Sequence, residues 1–128
     1  MELLEKADLQ LLDRAWGILT DEYTIPEEKP IVISAVRTKS GKIYMGDNLD
    51  CKFGALAESY ALSAAIMAGE RDFECMITLK HHENPKVIKP YGEVLEMLCN
   101  WLADTYIIVA TPQGLKKMQP KELRYLSL

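Results

Sequence analysis

The sequence predicts a single α/β domain over residues 1–128, in which a mixed five-stranded sheet lies between helices on both of its faces. Three observations predict this three-layer sandwich. Helical and strand patterns alternate along the chain, the strands are short and rich in β-branched residues, and one of them is apolar enough to be covered on both faces. A length of 128 residues, with 48% apolar and 27% charged residues, suits one globular domain.

The first helix is predicted from about Leu3 to Leu19, because apolar residues recur there at helical spacing with charges between them. The stretch TIPEEKP ends this helix, since its two prolines cannot continue it. Two β-branched runs, IVISAVRT and KIYMGDNL, flank the segment KSG, where Gly41 can adopt the positive φ of a tight turn. An antiparallel hairpin is therefore expected after the first helix.

A second helix is predicted from about Gly54 to Ala68, with Gly69 as its C-cap, and the buried strand ECMITLK follows it. The next segment, HHENPKVIKP, is predicted to be a loop. A third helix is expected from about Gly92 to Ala103, with Trp101 on its apolar side. The remaining elements are the strand TYIIVAT, the turn PQG, the short strand LKKMQ and the terminal helical turn PKELRYL.

The charge of the chain argues against nucleic acid as a partner. Its net charge is −4 and its pI is about 5.2, whereas duplex binding depends on Lys and Arg that neutralise phosphates. The N-terminal stretch MELLEKADLQLL lacks the features of a signal peptide, and no apolar run approaches the roughly 18 residues of a membrane span. We therefore expect a cytoplasmic protein without a membrane segment.

The cysteines do not indicate a disulfide framework or a zinc knuckle. Cys51, Cys75 and Cys99 are odd in number and widely spaced, and no C-x-x-C motif occurs. Reduced and mostly buried thiols are the expectation, because free cysteine behaves as a small apolar residue.

Four stretches carry a more specific signal than composition does: SGKIYMGDNLD, LAESYAL, IKPYGEVLEML and YIIVATPQG, in that order. Together they resemble the cytidine deaminase family, including its blasticidin S deaminase branch, over essentially the whole chain. The resemblance implies a cytidine deaminase-like sandwich. It also implies a site in which three cysteines hold zinc, while a glutamate moves protons and zinc-bound water attacks C4 of a pyrimidine.

The residues at the family's zinc positions differ from the family pattern. The motif C-A-E reads L-A-E over 56–58, and the motif P-C-x-x-C reads P-Y-G-E-V over 90–94. Leu56, Tyr91 and Val94 therefore occupy the three ligand positions. Leucine and valine offer no lone pair to a metal, and tyrosine is not a usual zinc ligand. We expect these degenerate metal positions to form an apolar plug and the protein to have no zinc cofactor.

Glu58 matches the family's proton-shuttling glutamate and has two interpretations. It is either a remnant of the acid/base or a charge that favours the start of a helix, where the dipole stabilises a carboxylate by roughly 0.3 to 1 kcal/mol. We expect Glu58 to be buried and hydrogen-bonded, for example to the Tyr91 hydroxyl or to backbone N–H groups of the third helix. An unpaired buried carboxylate would destabilise the fold.

The family's sugar-binding pattern G-x-N-x-E appears over residues 46–50 as GDNLD. The resemblance implies that Asn48 and Asp50 bind the hydroxyl groups of a nucleoside-like ligand. The same residues are common turn formers, whose side chains hydrogen-bond to nearby backbone groups. Both interpretations stay open at the level of sequence.

The pair His81 and His82 is predicted to lie in a solvated loop, because adjacent side chains point in different directions. A relocated metal site that uses one of these histidines with Glu58 or Cys51 is the alternative. No motif spacing supports that alternative.

The sequence therefore favours a degenerate, zinc-free protein that binds a nucleoside-like small molecule or a protein partner without deaminating it. Zinc lowers the pKa of bound water from about 15.7 to about 7, and Glu58 does not replace that effect. The alternative is a divergent nucleoside deaminase or other hydrolase that uses Glu58 as acid/base with a relocated or absent metal.

A third hypothesis is that the fold serves assembly, because the resemblance implies dimers or tetramers. The second and third helices carry apolar residues on more than one face, which predicts a homodimer or homotetramer. These residues include Tyr60, Met67, Met97 and Trp101.

Overall fold

The computed structural model describes residues 1–21, 31–48, 57–81 and 85–125. Ten elements lie in these ranges, and they alternate between helices and strands as the sequence pattern predicts. In chain order they are α1 (Lys6–Asp21), β1 (Ile31–Thr38), β2 (Ile43–Asp47), α2 (Ala57–Met67), β3 (Phe73–His81), β4 (Lys86–Ile88), α3 (Gly92–Trp101), β5 (Tyr106–Thr111), β6 (Gly114–Met118) and α4 (Pro120–Leu123).

The sheet follows the order β2-β1-β3-β5-β6, and β4 pairs with β3 beside this path. The pairing of β3 with β5 is parallel and begins at Cys75 opposite Tyr106. The pairings β1–β2, β1–β3, β3–β4 and β5–β6 are antiparallel. The predicted mixed sheet is therefore confirmed, with β4 as an addition to its five predicted strands.

Helices cover both faces of the sheet, which confirms the three-layer sandwich. One face packs against α1, through a core cluster made of Leu11, Ala15, Leu19, Ile31, Ile33, Ala35, Cys75, Ile77, Leu79 and Ile108. The other face packs against α2, α3 and α4, through a cluster made of Val36, Ala61, Leu62, Ala65, Phe73, Met76, Val94, Leu98, Ile107, Val109, Met118 and Leu123. No helix in the described ranges is both long and apolar enough to cross a membrane.

The segment HHENPKVIKP, predicted to be a loop, contains the strand β4. Lys86, Val87 and Ile88 pair with the last part of β3. The four residues between Pro85 and Pro90 give too short a pattern to be recognised as a strand, and the pairing depends on the position of β3 in the fold. The prediction of a loop is therefore wrong for these three residues.

The first helix begins at Lys6 rather than Leu3, because the residues before it make other contacts. Glu2 forms an isolated antiparallel bridge with Lys117 of β6. The backbone N–H of Glu5 donates to Oδ2 of Asp8 at 2.8 Å, so a first-turn side chain satisfies one of the free N–H groups at the helix start.

Two glycines have the roles that their positions require. Gly41 has φ +89° in the turn between β1 and β2, and Gly69 has φ +94° at the end of α2, as predicted.

Gly46 in β2 allows α2 to approach the sheet closely. A Cβ atom at this position would lie 2.4 Å from the backbone N of Ala61 and 2.6 Å from the carbonyl O of Ala57.

A buried ionic cluster joins α1 to two strands that are not neighbours in the sheet. Asp8 is fully buried, and its carboxylate accepts hydrogen bonds at 2.9 Å from Arg37 of β1 and at 2.9 Å from Lys117 of β6. Arg37 also contacts the half-exposed Glu74 at 2.7 Å. One acidic side chain thus pairs with two cations that are themselves only 7% exposed.

Two opposing effects set the pKa of Asp8. Burial by itself raises the pKa, but hydrogen bonds from the Glu5 backbone, Lys117 and Arg37 outweigh it and lower the pKa of Asp8 to about 2. The carboxylate therefore stays ionised in the folded protein at pH values where an ordinary aspartate takes up a proton.

The described cysteines are buried and free of disulfides, as predicted. Cys75 and Cys99 are reduced thiols inside the protein, while Cys51 lies outside the described residues. Burial, together with the negative charge of Asp8, raises the pKa of the Cys75 thiol to about 12. Cys75 is therefore an unreactive thiol at neutral pH.

We predict that Asp8→Asn lowers the free energy of unfolding by about 3 to 5 kcal/mol at neutral pH, because Arg37 and Lys117 stay buried without their counter-charge. The pKa of Asp8 is lower in the folded than in the unfolded chain, so its stabilising contribution is present above about pH 4 and is lost as the pH falls towards about 2. Urea titrations across this pH range measure both effects.

The control for this experiment is Asp13→Asn, which changes an exposed aspartate of the same helix. Its effect on the free energy of unfolding should stay within about 0.5 kcal/mol. An equal loss of stability in the two variants would contradict the role assigned to the buried cluster.

Candidate ligand site at one end of the sheet

The sheet brings several chain segments together at one end. The parallel strands β3 and β5 both finish there, and β1, which is antiparallel to β3, starts there with Val32 opposite Lys80. In open α/β sheets, ligands bind beyond the carboxyl ends of parallel strands, where the chain direction leaves a crevice. A ligand site is therefore expected at this end of the sheet.

A cavity of about 490 Å³ lies at this end of the sheet. Its volume falls within the roughly 300 to 1,000 Å³ that small-molecule sites occupy. One part of its lining is apolar and consists of Val32, Val87, Ile88 and Ala110. The other part is polar and consists of Lys80, Lys86, Lys89 and Tyr91.

Tyr91 and Val94, which the sequence resemblance matches to two of the family's zinc positions, have very different surroundings. Val94 is 4% exposed and belongs to the core cluster beneath α3, as predicted. Tyr91 is 70% exposed and stands before the first turn of α3 in extended backbone conformation. The expected apolar plug is therefore wrong for Tyr91, whose ring lines the cavity, and Leu56 lies outside the described residues.

Glu58 lies in the first turn of α2 and is 5% exposed. The predicted burial is therefore confirmed. The predicted hydrogen bond is not: in the described structure, Glu58 makes no hydrogen bond to Tyr91 or to the backbone of α3. Tyr91, at the N-cap position of α3, is largely exposed and is therefore not buried against this carboxylate. The role of Glu58 as acid/base or as a favourable helix charge stays a hypothesis.

Asn48 extends the pairing of β2 with β1 by one residue. Its side-chain Oδ1 accepts the backbone N–H of Val32 at 2.9 Å, and its own N–H donates to the Val32 carbonyl at 3.2 Å. Backbone bonding of this side chain is thus confirmed. The same bonds place Asn48 beside a cavity residue and leave its Nδ2 amino group as the part that can donate to a ligand. Asp50 lies outside the described residues.

His81 is the last residue of β3, opposite Ile31 of β1, so its assignment to a solvated loop is wrong. It is half-buried, and its Nδ1 atom has no partner in the described part of the chain. His82 and Cys51 lie outside that part. Across the described residues, no three His, Cys, Asp or Glu side chains come together as they would to hold a metal ion.

The architecture defines a class of protein: it is the cytidine deaminase fold. Cytidine deaminase from Bacillus anthracis superposes with a TM-score of 0.70 at 21% identity, covering 92% of this chain and 87% of that structure. Cytidine deaminase from Mycobacterium leprae superposes with a TM-score of 0.66 at 18% identity, covering 91% and 96%.

The sequence of this chain is similar to that of a particular deaminase. It is 25% identical over 129 residues to Blasticidin-S deaminase from Bacillus cereus, and the match covers 94% of this chain and 91% of that protein. No family model matches the sequence. The predicted resemblance to the cytidine deaminase family, with its blasticidin S deaminase branch, is confirmed.

The cationic side of the cavity is the part of the site that sequence reasoning missed. This side contains three lysines, Lys80, Lys86 and Lys89, that lie within one stretch of ten residues. Their clustering is the sequence signal that could have identified them as site residues. Their convergence depends on β4, because the antiparallel pairing places Lys86 directly opposite Lys80.

We predict that Asn48→Ala lowers the free energy of unfolding by about 1 to 3 kcal/mol, because the Val32 N–H loses its acceptor in a partly buried position. Asn48→Asp is the matched control, since it keeps an acceptor oxygen in the same place and should retain most of the stability. Thermal and urea unfolding measure the difference. Equal losses in the two variants would show that the hydrogen bond to Val32 is unimportant.

Proposed function

We propose that this chain is a zinc-free, cytidine deaminase-like protein that binds a nucleoside-like small molecule without deaminating it. The observation that carries the proposal is the environment of Val94. A hydrocarbon side chain, 4% exposed and packed in the core, stands where the family pattern has a zinc-binding cysteine.

The donor atoms at the family's metal positions do not fit zinc. Structural and catalytic zinc sites use thiolate, imidazole or carboxylate ligands, and at least three of them come from the protein. Leu56 and Val94 have no donor atom, and Tyr91 is not a usual zinc ligand and has most of its surface exposed. One neighbouring donor side chain that took the place of a single missing ligand would not restore the three protein ligands that zinc needs.

Without that set, the chemistry of water activation changes. Hydrolytic deamination at neutral pH relies on a metal that lowers the pKa of water from about 15.7 to about 7. Glu58 can accept a proton from water, but a carboxylate alone does not stabilise hydroxide. We therefore assign ligand binding, and not catalytic turnover, to the cavity.

The cavity supports binding of a small molecule. It combines an apolar wall, which suits the face of a heterocyclic ring, with a few polar groups that can fix its orientation. Asn48 lies next to this wall through its two hydrogen bonds to Val32. Its amino group is a suitable donor for a sugar hydroxyl.

A second function rests on Glu58. A carboxylate that is 5% exposed at the start of α2 is in the position that an acid/base needs in a divergent deaminase or other hydrolase. This alternative requires a metal held elsewhere or a reaction that needs none.

We also propose that the chain forms a homodimer or homotetramer. Met67 at the end of α2 is 86% exposed and Trp101 at the end of α3 is 80% exposed. Trp101 is the last residue of α3, and its exposure agrees with its predicted place among the apolar residues outside the core. Large apolar side chains on both helices supply the surface that a second copy could cover.

We predict that the purified protein contains far less than one zinc per chain and releases no ammonia from cytidine, deoxycytidine or blasticidin S. Nucleosides should nevertheless raise its melting temperature, because a ligand that binds the folded state stabilises it. Elemental analysis, an ammonia-release assay and thermal shift measure these three quantities. Stoichiometric zinc together with turnover would overturn the proposal.

The binding site can be located with a cavity-filling variant. Ala110→Phe introduces a large side chain at an exposed position of the cavity wall and should abolish the nucleoside-induced thermal shift. Ala68→Phe, at an exposed alanine after α2, is the control and should keep the shift. Loss in both variants, or in neither, would place binding elsewhere.

We predict that Glu58→Gln leaves nucleoside affinity within about twofold of the parent while changing stability, because the carboxylate serves the helix and not a reaction. Calorimetric titration and thermal unfolding measure the two effects. An activity that disappears in the folded Gln variant would instead support the acid/base alternative.

A further inference from the structure

The antiparallel pairing of β3 with β4 places two lysines directly opposite each other. Lys80 and Lys86 are cross-strand partners, so their side chains lie on the same face of the sheet. Like charges in this arrangement destabilise a sheet. Departures from the rules of stability in a natural fold are expected at functional sites.

The two buried cations of the sheet are treated differently. Arg37 and Lys117 are each paired with the carboxylate of Asp8. In contrast, within residues 1–21, 31–48, 57–81 and 85–125, no carboxylate forms an ion pair with Lys80 or Lys86. The fold therefore leaves this pair of positive charges without a protein anion in the described structure.

The two lysines line the cavity together with Lys89 and the exposed Tyr91. This concentration of positive charge does not reflect a basic protein, because the chain as a whole has a net charge of −4. Apolar residues of the lining, among them Val32 and Ile88, lie beside the lysines, since Val32 is the cross-strand partner of Lys80. The cavity thus offers positive charge for an anion and apolar surface for a ring.

We infer that the ligand of this cavity carries a phosphate group, which binds between Lys80 and Lys86. This inference rests on the proposed function and makes the ligand a nucleoside monophosphate or a close analogue. The phosphate supplies the negative charge that the lysine pair lacks, and charge-assisted hydrogen bonds from ammonium groups to phosphate are among the strongest that proteins form. The ring of the ligand packs against the apolar wall.

The test compares affinities measured by calorimetric titration of the full chain. The probes are the four common ribonucleosides, their 5′-monophosphates and inorganic phosphate. The monophosphates should bind at least about tenfold more tightly than the nucleosides, which corresponds to about 1.4 kcal/mol. High salt should reduce this difference, because it screens exposed charges.

Variants assign the effect to the lysine pair. Lys80→Gln and Lys86→Gln should each lower monophosphate affinity about tenfold more than they lower nucleoside affinity. Lys121→Gln, at an exposed lysine of α4 outside the cavity lining, is the control and should have no effect. Melting temperatures verify that each variant is folded.

The outcomes separate this inference from the proposed function. Nucleosides that bind as tightly as their monophosphates would overturn the phosphate inference and leave nucleoside binding intact. Monophosphates and phosphate that bind through the two lysines, with no binding of any nucleoside, would support the inference and overturn nucleoside binding. Equal losses in the Lys121 variant and the cavity variants would overturn the inference, and binding of none of the probes would overturn both.

Discussion

The carboxylate of Asp8 is the interaction on which the arrangement of the layers depends. It contacts Arg37 and Lys117, which belong to β1 and β6, and two further strands separate these in the sheet. An apolar contact could shift by a residue at little cost, whereas two buried cations leave Asp8 a single position. Removing ions from water is expensive, so such a cluster persists only when its geometry is correct.

That fixed layer determines what the opposite layer can do. With α1 bound on one face, the sheet can present its other face to α2 and α3, and Gly46 lets α2 approach to backbone contact. The strands then end together beside the start of α3, where the chain leaves a cavity. The ligand site is therefore a product of strand direction and helix placement, and its lining comes from segments as far apart in sequence as Val32 and Ala110.

The parts of the fold that were predictable from the sequence are those with a local signal. The strand IVISAVRT corresponds to β1 from Ile31 to Thr38, and the glycines at positions 41 and 69 have the positive φ that their turns require. The short strand β4 was missed, because its pairing partner and not its own pattern makes it a strand.

The candidate site likewise has some features that follow from a local sequence signal and others that depend on the fold. The burial of Val94 followed from its position on the apolar side of an amphipathic helix, and the burial of Glu58 followed from the resemblance to a known scaffold. The exposure of Tyr91 depends on how the segment before α3 leaves the sheet. The position of the facing lysines depends on the same segment. One-dimensional spacing shows that Lys80, Lys86 and Lys89 are close in sequence, but only the antiparallel register makes two of them neighbours.

The buried thiol of Cys75 gives the molecule an internal probe of its own motions. Burial raises the pKa of this thiol to about 12, so almost none of it is ionised at neutral pH, and alkylating reagents need the thiolate. The residue sits beneath α1 in the core cluster of that face. Modification of Cys75 therefore requires the helix to separate from the sheet, and its rate reports how often this layer opens while the rest of the protein stays folded.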